Sequence, residues 1–187
     1  MSTMGFVSEY KDMHAHDNTK LQVIHTNDKK QMATSLEQYE CDLGLECHKI
    51  VGIDLEYTNE PDETQKPALV QLSDGKTQPV LPFQLSAAER CTVFDNFRVD
   101  SCTDKTKLER VNLEVTNFID IQKEWRVNES TKNLDSLEEV ACILIDDYYN
   151  NTKKKIVNEE HKRWGSLPLS KRHTEYAEKD TYTAYEI

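Results

Sequence analysis

KIVGIDLEY, Lys49–Tyr57, is the stretch on which the reading of the whole chain turns. It starts as an apolar run and becomes alternating, with Ile53 and Leu55 set against Asp54 and Glu56. That is the pattern of a central strand reaching an active-site edge. Side chains two apart on a strand share a face, so D-L-E sets two carboxylates side by side. Adjacent anions repel unless they share a cation. On spacing alone, a pair of solvated acids at a strand end fits equally well.

Outward from this strand the chain alternates between two kinds of signal. Upstream, Leu21–His25 reads as a short strand, and Asp28 to Asp42 as a helix with Asp28 as its N-cap. Residues 1–19 read as a flexible polar arm, in which His14 and His16 are solvated rather than metal-bound. Downstream, Asn59–Lys66 is a charged loop, and Ala68–Ser73 and Pro79–Leu85 are strands joined through an Asp74-Gly75 turn. Ser86 caps a helix to about Phe97, with Glu89 completing a capping box. Asp104–Val111 reads as helix, Asn117–Ile121 as strand and Leu134–Tyr149 as a helix with one apolar face. Ser170 caps a last helix running to Ile187. Strands first, then strands interleaved with helices, predict an α/β domain over residues 20–187 whose sheet contains both a hairpin and parallel neighbours.

Composition narrows the function. The chain has 187 residues, enough for one domain with an ordinary core, and is 37% hydrophobic and 30% charged. No apolar run approaches the ~20 residues of a membrane span. The polar start lacks a secretory apolar stretch, so an intracellular protein is expected. Cys41, Cys47, Cys91, Cys102 and Cys142 are odd in number with no C-x-x-C pair, which predicts reduced, mostly buried thiols. A net charge of −11 argues against a binder that relies on a Lys/Arg surplus. It weighs less against a nuclease whose carboxylates hold divalent metals, because the metals bring positive charge to the site.

A second constellation sits in the last helix. Residues i and i+4 share a helix face, so EYAEKD presents Tyr176 and Asp180 together. Alone, Y-x-x-x-D is a weak motif, and a helix that also carries Tyr182 and Tyr185 could simply pack aromatics on a sheet.

Taken in order, VGIDLEY, PALVQLS, DKTKL and PLS…YAEKDTYTAYEI resemble the DEDD superfamily of 3′→5′ exonucleases over roughly residues 20–187. The tyrosine subtype, with a Werner-syndrome-type or RNase D-like exonuclease domain, is the best match, in the short plant branch where that domain stands alone. The histidine subtype needs His five residues before the final Asp, where this chain has Glu175. The resemblance implies a ribonuclease H-like fold, a mixed central sheet flanked by helices. Asp54 and Glu56 match the first motif, Asp104 the second, and Tyr176 and Asp180 the third. Asp100 competes with Asp104, which is preferred because K-T-K-L follows it as a helix start.

The implied chemistry uses two divalent ions, Mg²⁺ or Mn²⁺, about 3.5–4 Å apart. Asp54 would bridge them, Glu56 and Asp180 would complete the nucleophile side, and Asp104 would hold the second ion. Tyr176 would orient the attacking water. Leu55 and Tyr57 would contact the terminal nucleotide, the aromatic face stacking on a base. Lys105, Lys107, Lys162, Lys171 and Arg172 are candidate phosphate contacts, Asp120 is read as structural and Trp164 as core. The expected partner is DNA or RNA with a free 3′ end, single-stranded or recessed. The family context favours the nucleus over the cytoplasm, and a homo-oligomer is consistent with the rings that short relatives form. One region departs from the pattern: only FRVDSCT stands between Phe97 and Asp104, where relatives carry a longer loop and strand. A catalytically weak paralogue serving as a nucleic-acid-binding or protein-interaction module is therefore the alternative.

Overall fold

The computed structural model describes residues 5–46, 50–57, 67–75, 79–85, 119–125, 136–150, 156 and 158–187. Among the described residues, five strands form one sheet: β1 (Val7–His14), β2 (Lys20–Thr26), β3 (Gly52–Tyr57), β4 (Pro67–Ser73) and β5 (Leu81–Gln84), in the spatial order β1-β2-β5-β4-β3. The β2/β5 pair is parallel and the other three pairs are antiparallel, so the sheet is mixed. Around it lie α1 (Lys29–Leu45), α2 (Ile121–Glu124), α3 (Leu137–Leu144), α4 (Asn158–His161) and α5 (Lys171–Glu186).

The alternation in β3 separates two layers. Ile53 and Leu55 join Val70, Leu72, Leu81 and Phe83 against Met32, Leu36 and Tyr39 of α1, forming the main core. Asp28 starts α1 as expected: its carboxylate accepts the Lys30 and Gln31 N–H groups at 3.0 and 2.9 Å. Tyr39 reaches the sheet end and donates its hydroxyl to the Pro79 carbonyl at 2.8 Å. The other sheet face is covered by α5, which packs on β3, β4 and β5. A second cluster forms there from Ala68, Leu69, Ile156, Trp164, Leu169 and Ala177, which places Trp164 in the core as the sequence implies.

Several expectations need correction. Within the supposed polar arm, Val7–His14 forms β1 and pairs with β2 from Val7↔Thr26 to His14↔Lys20. An edge strand needs only one partly buried face, which Tyr10 and Met13 supply, so its composition stays polar. Asp17 and Asn18 make the turn at φ of 53° and 57°, a conformation these two residue types tolerate. His16 is not a solvated side chain: it sits against the Tyr148 and Tyr149 rings and lies 3.5 Å from Glu186.

The strand predicted from Lys49 begins at Gly52. The predicted Leu134–Tyr149 helix is confined to Leu137–Leu144 among the described residues. Its start is set by a capping box between Ser136 and Glu139. Beyond its end, the Asp146 carboxylate accepts the Tyr148 N–H at 2.7 Å, a local bond that competes with helix continuation. Of the predicted Asn117–Ile121 strand, the described part leads into α2 instead. Cys41 is exposed and Cys142 half-buried, both as free thiols, rather than deeply buried. The predicted helices at 86–97 and 104–111, the 59–66 loop and the remaining cysteines lie outside the described residues. No helix among the described residues is long and apolar enough to cross a membrane.

Candidate metal centre

β3 delivers Asp54 and Glu56 to the face covered by α5, and α5 delivers Asp180 to the same place. One carboxylate oxygen from each lies within 4.8 Å of the others. The strand register sets Asp54 opposite Gln71 and Glu56 opposite Leu69, and then shifts so that Tyr57 pairs with Pro67. Proline has no N–H to give the ladder, which accounts for an irregularity at that point. It falls directly after the second carboxylate.

The helix is fixed at its start by Ser170, whose hydroxyl accepts the His173 N–H at 3.3 Å. Its buried residues include His173, Thr174, Ala177, Glu178, Asp180 and Thr181, which bring it down onto the sheet. Asp180 is only 6% exposed, whereas Asp54 and Glu56 are half-buried. Three carboxylates gathered at this low exposure repel one another strongly, and a bound cation relieves that repulsion. An oxygen-only donor set suits a hard divalent ion such as Mg²⁺ or Mn²⁺ and lacks the nitrogen or sulfur ligands preferred by zinc. The residues present therefore fit a divalent metal.

Beside the cluster lies a buried polar layer that the sequence did not single out. The Thr181 hydroxyl sits 2.9 Å from the Gln71 side-chain carbonyl, which links the residue after Asp180 to the cross-strand neighbour of Asp54. His25 bonds the Gln84 amide oxygen at 3.1 Å, and the Gln84 NH₂ donates to the Trp164 carbonyl at 2.6 Å. Burial lowers the His25 pKa, partly offset by that bond to Gln84. Glu178 is completely buried, and neither of its oxygens has a hydrogen-bond partner among the described residues. Burial pushes its pKa up from 4.5 to about 8, against a smaller opposing effect of Lys179. It is therefore mostly neutral at pH 7. The signal for Gln71 was a lone amide inside the otherwise apolar PALVQLS strand, and for Gly52 a glycine opening a strand.

The other expected site residues fall as follows. Tyr176 lies one turn before Asp180, half-buried, its ring 6.0 Å from those of Trp164 and His161. Leu55 is 5% exposed and packs into the α1-side core, away from the carboxylates, as the period of two requires. Tyr57 packs partly against that same core. Asp104, Lys105 and Lys107 lie outside the described residues. Asp120 caps α2 and pairs with Lys123 at 2.7 Å, a structural role as expected. Lys162 is exposed, while Lys171 lies 3.7 Å from Glu175 and Arg172 3.1 Å from Glu160.

No protein-family model matches the chain, and no curated protein matches it. Among solved structures, it is similar to the EXO domain of Nibbler from Aedes aegypti, with a TM-score of 0.50 and 15% sequence identity. The match covers 80% of this chain and 82% of that domain. At that identity the likeness speaks for architecture alone: this chain has a ribonuclease H-like α/β fold, a mixed central sheet flanked by helices.

Proposed function

We propose that the chain is a metal-dependent 3′→5′ exonuclease that hydrolyses phosphodiester bonds at the 3′ end of DNA or RNA and releases nucleoside 5′-monophosphates. The observation that carries this reading is the convergence of Asp54, Glu56 and Asp180 from β3 and α5, on a fold shared with an EXO domain. Asp54, Glu56 and Asp180 hold divalent cations, Mg²⁺ or Mn²⁺, and Asp104 is assigned as the fourth ligand. When bound, the ions would neutralise charge on the scissile phosphate and acidify a water so that it gives up its proton before attacking phosphorus. Tyr176 orients that water through its hydroxyl, in keeping with the tyrosine subtype.

The net charge of −11 favours a second reading, an inactive module of the same fold that binds a partner. Digestion of matched 3′-recessed and single-stranded DNA and RNA with Mn²⁺ separates the two. The enzyme reading expects stepwise shortening from the 3′ end, abolished in Asp54→Ala. Intact substrate in the presence of protein that binds Mn²⁺ normally would leave only the second reading.

A further inference from the structure

We infer that Gly52 is a positioning residue for the metal centre: its missing side chain sets how close α5 lies to β3 and so holds Asp180 in reach of Asp54 and Glu56. The inference rests on the metal-dependent reading of the cluster.

Gly52 opens β3, two residues before Asp54. A Cβ built at this position would stand 2.5 Å from the Thr181 carbonyl oxygen, 2.8 Å from the Tyr185 nitrogen and 3.0 Å from the Tyr185 Cβ. The two shortest contacts are to helix backbone, so no rotamer change relieves them. Restoring the Thr181 contact to an ordinary 3.4 Å requires α5 to move by about 0.9 Å. Thr181 follows Asp180 directly, so the carboxylate travels with it. Metal–oxygen distances tolerate about 0.2 Å and a preorganised site about 0.5 Å, so a 0.9 Å displacement is enough to spoil the ligand set. The hydroxyl of the same Thr181 lies 2.9 Å from Gln71, whose backbone pairs with Asp54. Thus Thr181 is held to β4 through its side chain and admitted close to β3 by the glycine.

Gly75 provides the internal comparison. It too meets α5, but a Cβ there would run into the ring of Tyr185, a side chain that can be trimmed, and its φ of +71° strains any other residue. Gly75 lies in the turn after β4, and the three atoms nearest to a Cβ there all belong to the Tyr185 ring.

The test is calorimetric titration of Mn²⁺ into metal-stripped full-length protein, with far-UV circular dichroism and thermal unfolding alongside. In Gly52→Ala, Mn²⁺ affinity is expected to fall roughly 10–100-fold, the range for lost support of metal ligands, with the fold retained. Adding Tyr185→Ala does not restore it, because the clashing atoms are backbone. Gly75→Ala is expected to unfold at lower temperature yet bind Mn²⁺ within about twofold of wild type, well inside that range. Its stability recovers in part when Tyr185→Ala is added. Should Gly52→Ala not fold, Thr181→Val decides: it removes the Gln71 bond without adding bulk and is expected to weaken Mn²⁺ binding severalfold. A folded Gly52→Ala, or in its absence a folded Thr181→Val, with wild-type Mn²⁺ affinity overturns the positioning role. Wild-type protein that binds no Mn²⁺ overturns the metal reading beneath it.

Discussion

Glu178→Gln isolates one buried proton. The substitution keeps the shape of the side chain and removes its ability to ionise. In the wild type the folded pKa is raised from 4.5 to about 8. The folded chain therefore keeps a proton that the unfolded chain releases across that window, and stability falls as pH rises through it. At low pH both states are neutral and the penalty vanishes. Between about pH 5 and about pH 7.5 it grows by about 3 kcal/mol, at ~1.36 kcal/mol per pH step. For a chain of this size that corresponds to roughly 6–12 °C in melting temperature. The Gln amide is also buried without partners, but its cost is the same at every pH and cancels in the comparison. The assay is thermal unfolding by circular dichroism in metal-free buffer at both pH values. Wild type should lose those degrees relative to Glu178→Gln as pH rises. Parallel pH profiles for the two proteins would refute the idea that Glu178 is buried as a neutral acid.

Two further outcomes are expected. Tyr176→Phe removes a hydroxyl assigned to the attacking water and no metal ligand, so kcat should fall about 10²-fold with Mn²⁺ affinity unchanged, a split that steady-state kinetics and calorimetry read directly. Tyr39→Phe removes the hydroxyl that donates to the partly buried Pro79 carbonyl and should cost about 0.5–1.5 kcal/mol in a urea unfolding titration, with activity per folded molecule unaffected.

Local signals in the sequence carried far. The Asp28 and Ser170 caps mark real helix starts, and the alternation of Ile53 and Leu55 with Asp54 and Glu56 marks the two faces of β3. These features need only neighbouring residues to be read. The same period of two that aligns the carboxylates also sends Leu55 to the opposite face, which an expectation of substrate contact there overlooked. β1 escaped because its pairing with β2, not its own composition, makes it a strand. The early end of α3 depends on an Asp146 side-chain bond that helix propensity does not report. Gly52 and Gln71 acquire meaning only from α5, a segment far along the chain. The Tyr176–Asp180 spacing predicts a shared helix face without saying what that face meets.

The carboxylate cluster draws its members from β3 and from α5, so it exists only in a chain folded through both. On the metal-dependent reading proposed above, a cation held between β3 and α5 would favour the docked form by mass action. Under that proposal, divalent ion concentration would become a control on how firmly the helix is closed over the sheet, and a newly made chain would have no complete ligand set until α5 has been synthesised and seated. On the same proposal the cluster would work as a check on completeness, since a partly folded molecule lacks one of its three carboxylates.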